Sequence, residues 1–250
     1  MATQQPRKTP VVVQQKKKTS PWIWILGGCL LFIVVAVVGV VVFLYFGAKK
    51  MASAVEENVK NPTLRAKTAK KMLGAARLPD GYYPISGTFD IPFLSHVELS
   101  DRAPDKNGAV VGFDKRGFIY TDTFDTESSR KLESFFSGAD NAPEMIEDVG
   151  VSYRARETLR KGTLTVGNET IRYRTSRGRV GKGQSEVEGL LTTMWIDCPG
   201  QKRERYAVWF GPDATPSSSS TSGEAALAGT VGDEAALRQF MSQFDFCRKR

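Results

Sequence analysis

Two cysteines near the end of this 250-residue chain are placed to form a disulfide. Cys198 ends a predicted strand and Cys247 follows the last predicted helix. In an oxidising compartment they are natural partners, and the bridge would fasten that helix across a loop of about 50 residues, contributing about 4 kcal/mol in the chain-entropy account. The alternative is two buried free thiols. The chain has no C-x-x-C motif, so the sequence does not predict a redox role.

The densest unusual feature of the sequence is cationic. Two predicted strands carry five arginines at alternating positions, namely Arg154, Arg156, Arg160, Arg172 and Arg174. If the strands pair, we expect all five on one sheet face. Guanidinium groups bind carboxylate and phosphate through paired hydrogen bonds, so this patch is a candidate site for an anionic protein or a lipid headgroup. The alternative is an ordinary solvated face whose arginines pair with Glu157 and Glu169.

The only histidine, His96, lies beside Glu98 in a predicted strand, on what the alternation indicates is an exposed face. A single histidine argues against a multi-histidine metal site, and no G-x-S-x-G motif accompanies it. Gly178–Gly183 has the wrong spacing for a phosphate-binding loop and is predicted to be a basic loop. We therefore predict no catalytic residue, no metal ligand and no cofactor.

An unbroken apolar run from Trp22 to Phe46 contains no charged residue. As a helix its 25 residues would rise about 37 Å, which is enough to cross a hydrocarbon core of about 30 Å. We expect an uncut single-pass span. Two alternatives are cleavage at Ala52-Ser53-Ala54 and acylation of Cys29 in a lipobox-like Leu26-Gly27-Gly28-Cys29.

The basic charge lies close to this span. The chain has a formal net charge of +8, yet residues 78–250 carry 22 basic and 25 acidic side chains. The excess is juxtamembrane, where cations favour an anionic bilayer, so nucleic-acid binding is not expected. A slight excess of Lys and Arg on the N-terminal side predicts a cytoplasmic N-terminus and an extracytoplasmic C-terminal domain.

The predicted organisation has four parts: a disordered basic tail at 1–20, a transmembrane helix at 21–48, a stalk with an amphipathic helix at 49–77, and a domain at 78–250 with a serine-rich loop at 214–224. The amphipathic helix begins at Asn61-Pro62. Its apolar stripe is expected to pack on the domain, and its basic side, with Arg65 and Lys67, is expected to be solvated. Lying on the lipid surface is the alternative.

Within the domain, a period of two in the hydrophobic residues predicts a half-buried strand over Ile91 to Leu99, two hairpins and two further strands. These are hairpins joining 110–113 to 118–123 and 164–166 to 171–173, and strands at 190–196 and 206–210. One-sided helices are predicted from Thr126 to Gly138 and after the N-cap Asp233. The pattern predicts an α+β two-layer sandwich, a mostly antiparallel sheet with helices on one face.

Several segments together resemble uncharacterised bacterial single-pass membrane-anchored envelope proteins. They are Asn61-Pro62 with its alanine-bearing helix, Leu78-Pro79-Asp80-Gly81-Tyr82-Tyr83-Pro84, and the cysteine strand followed by a terminal helix ending at Cys247. The resemblance spans most of 55–247 and implies a bacterial cell-envelope setting, with the span in the inner (plasma) membrane, but it supplies no activity. We expect a membrane-tethered, non-enzymatic binding, sensing or scaffolding domain. The alternatives are a membrane-anchored hydrolase with an unrecognised site and an accessory subunit of an envelope complex.

Overall fold

The computed structural model describes residues 57, 60–105, 108, 110, 112–124, 126–137, 152–182, 185–213 and 227–248. The predicted tail, the membrane span, most of the stalk and the serine-rich loop lie outside these residues. No helix in the described part of the chain is long and apolar enough to cross a membrane. The structure therefore concerns the domain and the amphipathic helix that precedes it.

The described residues form one eight-stranded sheet and three helices. The helices are α1 (Pro62–Leu73), α2 (Thr126–Ser137) and α3 (Glu234–Met241). The strands are β1 (Tyr83–Pro84), β2 (Phe89–Ile91), β3 (Leu94–Ser100), β4 (Gly117–Thr123), β5 (Ser152–Val166), β6 (Glu169–Lys182), β7 (Ser185–Asp197) and β8 (Glu204–Gly211). Their order is β1-β3-β4-β8-β7-β6-β5, with β2 also on β3, and every pair is antiparallel. The predicted α+β class is confirmed.

The strands with the clearest sequence signals form as expected. β5 and β6 are joined by the two-residue turn Gly167-Asn168, where Gly167 has φ +57°. Such hairpin turns need positive φ, which glycine adopts without steric cost. β7 pairs with β8 through the predicted strands at 190–196 and 206–210. These pairings belong to the part of the sheet formed by strands β5 to β8.

The prediction of one strand over Ile91 to Leu99 is wrong, because β2 and β3 form a hairpin that turns at Pro92-Phe93. Val110 and Phe113 are buried but lie outside any strand, so the hairpin predicted there is also wrong. The loop at 114–116 is held by a side chain, since the Asp101 carboxylate accepts the amide hydrogens of residues 114, 115 and 116. A carboxylate that accepts these amide hydrogens takes the place of the hydrogen bonds between strands that a hairpin would supply.

One face of the sheet, here called the α1 face, is covered by α1 and α3. Both helices present three buried apolar residues: Ala69, Met72 and Leu73 from α1, and Leu237, Phe240 and Met241 from α3. They pack in a single cluster with Phe118, Tyr120, Ile171, Met194 and other strand residues. At about 25 cal/mol per Å² of apolar surface, this burial is the main favourable contribution to folding.

The opposite face, here called the α2 face, is also covered. Phe136 of α2 lies 6.2 Å from Trp195, measured between ring centroids, and the Arg174 guanidinium lies over Phe135. Register places Trp195 on the face away from Met194 and the α1 cluster. The expectation that all helices cover one face is therefore wrong. A sheet covered on both sides can bury residues that alternation alone would assign to solvent.

The basic side of helix α1 is only partly solvated, in contrast to the prediction. Asn61 caps the helix by accepting the amide hydrogens of Thr63 and Leu64, and Gly74 ends it with φ 63°. Arg65 is not solvated but 1% exposed, and it donates to the carbonyls of Pro84 (2.9 Å) and Gly108 (2.8 Å). These bonds satisfy two carbonyls and hold α1 to the sheet edge.

Replacing Arg65 by Leu should lower the free energy of unfolding by about 2–3 kcal/mol, because buried carbonyls lose their donors. The measurement is urea unfolding of the full chain in detergent, followed by tryptophan fluorescence. Lys67→Leu, at an exposed position of the same helix, is the matched control and should change the value by less than about 0.5 kcal/mol. Equal effects of the two substitutions would contradict the role assigned to Arg65.

Candidate functional site

A cleft of about 800 Å³ lies on the α1 face, at the end of the sheet where β8 finishes. Five parts of the chain line it: the turn at 77–82, Arg116, the segment 209–213, the turn at 229–231 and the segment 236–243, which includes the end of α3. Its volume lies in the range of small-molecule and peptide sites, about 300–1,000 Å³. The cleft is therefore the candidate binding site.

Three aromatic side chains form the floor of the cleft. Trp209 stacks on Phe240 with ring centroids 4.3 Å apart and an interplanar angle of 5°. The indole Nε1 donates to the Tyr82 hydroxyl at 2.9 Å, and the Tyr82 ring lies 5.5 Å from Phe240. Each ring is thus fixed by two neighbours. A floor held in this way is already shaped before a ligand arrives, which reduces the entropy cost of binding.

The rim of the cleft is polar and carries charges of both signs. Arg77, Asp80, Gln239 and Gln243 are exposed there. The Arg116 guanidinium lies 5.7 Å from the centre of the Tyr82 ring. Burial raises the pKa of Tyr82 above its ordinary value, so the hydroxyl that accepts from Trp209 is neutral and keeps its own hydrogen to donate. The arrangement suits a ligand with an apolar surface and several hydrogen-bonding groups.

The sequence did not predict this cleft. Tyr82 belongs to a predicted turn, Trp209 to a predicted strand and Phe240 to the apolar stripe of a predicted helix. None of these positions indicates a binding site by itself. Local patterns indicate which side of its own element a residue occupies. They do not show that three separate elements meet at one place. Tyr82 and Trp209, for example, are 127 positions apart in the chain.

The five arginines proposed as one patch do not share a face. The two-residue turn at Gly167-Asn168 pairs Val166 with Glu169, so the even-numbered positions of β5 next to the turn share a face with odd-numbered positions of β6. The two register shifts in β5, between Ala155 and Glu157 and between Thr158 and Arg160, lie farther from the turn than Arg160 and do not change its face. In consequence Arg160 pairs with Thr175 and points to the α1 face, away from Arg172 and Arg174. The prediction of a single five-arginine face is wrong.

Each of the two groups has its own surroundings. Arg154 lies opposite Arg179, and Arg156 forms an ion pair with Glu188 at the far end of the hairpin. On the α2 face, the Arg172 guanidinium stacks 4.4 Å from the centre of the Trp195 ring. Arg174 is buried, and its Nε donates to Thr158 at 2.8 Å. Only the α2 face therefore brings two of the five together beside an aromatic surface.

His96 is buried, which contradicts the predicted exposed position. Its ring nitrogens contact the Thr121 hydroxyl at 3.0 Å and the Glu98 carboxylate at 2.9 Å. Glu98 is itself fully buried, and neither residue lines the cleft. Polar side chains removed from water need such partners, so the geometry gives His96 a structural role in the α2 face.

The C-terminal segment is fastened to the sheet at two points. Cys198 and Cys247 lie at disulfide distance, with an S–S separation of 2.04 Å. Beside them, the buried Glu169 carboxylate accepts the amide hydrogens of Phe246 and Cys247 through Oε1, whereas Oε2 has no hydrogen-bond partner. Burial raises the pKa of Glu169 to about 7, and the two amides oppose part of that shift.

The described residues contain no group of three or more His, Cys, Asp or Glu side chains placed to hold a metal ion. No known protein family, curated protein or solved structure matches the chain. The function of the cleft is therefore inferred from its own residues and from the sequence around the domain.

The raised pKa of Glu169 makes stability depend on pH. The carboxyl ionises near pH 4.5 in the unfolded chain and near pH 7 in the folded chain. Between these values the folded state keeps a proton that the unfolded state has lost, so the group destabilises the fold as pH rises through this window, by on the order of 3 kcal/mol in total.

In Glu169→Gln, which still offers an amide oxygen to both N–H groups, this contribution should vanish. The variant should gain stability relative to the wild type from pH 4.5 to 7 and show no further relative change above pH 7. Urea unfolding at several pH values measures the difference. Glu133→Gln, at an exposed position of α2, is the control and should follow the wild-type curve. A parallel pH profile for Glu169→Gln would contradict the assigned pKa.

Proposed function

We propose that this chain is a non-enzymatic binding domain of the bacterial cell envelope, tethered to the inner membrane by the apolar run from Trp22 to Phe46. The domain lies on the extracytoplasmic side and takes its ligand in the cleft. Sensing and scaffolding are the roles that follow from such tethered binding. The resemblance of the sequence to single-pass envelope proteins agrees with this assignment.

The observation that carries the proposal is the cleft floor. Trp209, Phe240 and Tyr82 form a rigid apolar surface within a cavity of about 800 Å³, and amide and charged side chains surround it. Binding sites combine these two features, since the apolar floor supplies affinity and the polar rim fixes orientation. His96, the one histidine available for acid–base chemistry, lies elsewhere. The cleft thus supports recognition better than hydrolysis.

The extracytoplasmic location is supported by the cysteine pair. Cys198 and Cys247 lie at bonding distance, and disulfides persist in oxidising compartments but are rare in the cytosol. The bridge would keep the C-terminal segment, which follows α3, attached to the end of β7. Since α3 supplies Phe240 to the cleft, an oxidising setting would also stabilise the binding site.

A second candidate function, an accessory subunit of an envelope complex, is favoured by an exposed apolar pair. Phe93 is 71% exposed and Phe124 is 49% exposed. Leu94 pairs with Thr123, so the two phenylalanines lie side by side at one end of the sheet. Large exposed apolar groups of this kind commonly mark contact surfaces.

Thiol labelling of intact cells tests the location. In a Cys29→Ser background, an impermeant maleimide should label Cys198 and Cys247 only after reduction, because the reagent reaches them but the disulfide blocks reaction. The measurement is the mass shift of the purified full chain. A Cys198→Ala variant is the control and should expose one reactive thiol without reduction. Labelling that needs cell lysis would contradict the proposed orientation.

Filling the cleft should abolish ligand retention. Gln239→Trp places a bulky ring over the cleft, whereas Ala235→Trp introduces the same ring at an exposed position of α3 outside it. Native mass spectrometry of the mildly solubilised full chain should show a bound species with the wild type and with Ala235→Trp. Its occupancy should fall at least about tenfold with Gln239→Trp, since a blocked floor loses its apolar contacts.

The same measurement separates the two candidate functions. If a stoichiometric protein is retained by Gln239→Trp but lost from Phe93→Ser, the domain is an accessory subunit that binds through its exposed phenylalanines. If Gln239→Trp and Ala235→Trp retain the same species equally, the cleft is not the binding site.

A further inference from the structure

We propose that the α2 face carries a second binding site, for an oxyanion such as a carboxylate or a phosphate group, formed by Arg172, Lys161 and the Trp195 ring. The site is a pocket of about 270 Å³ between α2 and the β5–β6 hairpin, lined by Phe136, Lys161, Thr163 and Arg172 among others. It lies on the face opposite the cleft, so it is independent of the function proposed above.

The position of Arg172 is fixed before any ligand binds. Its guanidinium stacks 4.4 Å from the centre of the Trp195 ring, and the indole Nε1 donates to Glu204 at 3.0 Å, which holds the ring in place. Stacking on an aromatic face leaves the edge of a guanidinium free to donate two parallel hydrogen bonds. Phe136 contacts the same tryptophan and closes one side of the pocket.

A second cation lies next to this guanidinium. Register pairs Thr163 with Arg172 and Lys161 with Arg174, so Lys161 is the diagonal neighbour of Arg172 on the same face. Diagonal side chains in an antiparallel pair lie within reach of each other when they are long. An anion in the pocket would therefore meet the planar donor edge of Arg172 and the ammonium group of Lys161 together.

Among the residues that the structure describes, the charges at the pocket have no carboxylate partner. Among the described residues, no carboxylate forms an ion pair with Arg172 or with Lys161, although most other surface arginines of the β5–β6–β7 region have one, such as Arg156 with Glu188 and Arg177 with Glu157. The nearby Glu204 carboxylate is engaged by the Trp195 indole. Adjacent like charges repel, and a shared anion removes that cost.

Two sources present the required chemistry: a lipid headgroup phosphate at the membrane surface, and a free phosphate or carboxylate in solution. The pocket recognises the oxyanion itself, so the site is defined by that group and the experiment distinguishes the sources. An anionic headgroup would hold the α2 face against the bilayer, whereas a soluble anion would bind whatever the lipid composition.

The test uses the full chain in phosphatidylcholine nanodiscs, labelled with 5-fluorotryptophan, with the Trp195 signal assigned by Trp195→Phe. Inorganic phosphate and acetate are titrated at constant ionic strength set with sodium chloride. The Trp195 fluorine resonance should shift saturably with at least one of them. Arg172→Gln should weaken the apparent Kd at least about tenfold, and Lys161→Gln several-fold, because each removes a charge-assisted contact.

Two comparisons sharpen the test. Arg172→Lys keeps the charge but loses the planar donor pair and should bind more weakly than the wild type, whereas Arg154→Gln, an exposed arginine outside the pocket, should bind normally. The resonance of Trp209, which stacks on Phe240 in the domain, reports that the domain of each variant is folded. A shift in phosphatidylglycerol nanodiscs without added anion, lost in Arg172→Gln, identifies the headgroup source.

The proposal is overturned if the Trp195 resonance shifts neither with an added anion in phosphatidylcholine nanodiscs nor in phosphatidylglycerol nanodiscs without added anion. It is also overturned if sodium chloride alone produces the same shift, or if folded Arg172→Gln retains wild-type affinity. Because the cleft lies on the other face, any of these results leaves the cleft proposal standing.

Discussion

The stacked pair of Trp209 and Phe240 is the contact on which most of this domain depends. With centroids 4.3 Å apart, it joins the central strand β8 to the last helix, and Phe240 also contacts Phe118 of β4 and Tyr82 from the turn that follows α1. Aromatic side chains bury large areas and interact favourably when their rings are offset or tilted. The same rings that complete the core thus form the floor of the cleft.

A second constraint is that a sheet covered on both faces must satisfy its polar groups internally. His96 and Glu98 bind each other beside Thr121, and Asp122 lies between Arg203 and Arg205 with essentially no exposure. An unsatisfied buried polar group costs about 1–3 kcal/mol, so these pairings restrict which strand registers are tolerable. The polar residues therefore specify the arrangement that the apolar cluster stabilises.

The functional surfaces lie where this framework leaves side chains incompletely used. The cleft opens where α3 covers only part of the aromatic floor. The oxyanion pocket lies where Arg172 is stacked but has no carboxylate partner among the described residues. Both proposals are consistent with a tethered domain that recognises other molecules, and they use opposite faces of one sheet. A domain of this kind can contact two partners at once without either displacing the other.

The sequence alone determined most of the local structure. Asn61 and Asp233 were predictable helix caps, Gly167-Asn168 was a predictable hairpin turn, and periodicity located β7 and β8, because these signals depend on residues close together in the chain.

Only the tertiary structure decided which faces are buried and which residues meet. The segment before β3 folds back over the second face, where the Phe89 ring lies 5.6 Å from the His96 ring, so His96 is buried. The register of the β5–β6 hairpin puts Arg160 on the face opposite Arg172, and packing of α3 brings Phe240 onto Trp209. The burial of His96 and the contact between Trp209 and Phe240 depend on distant segments, and the faces of the arginines depend on strand register. A local hydrophobic pattern carries neither kind of information.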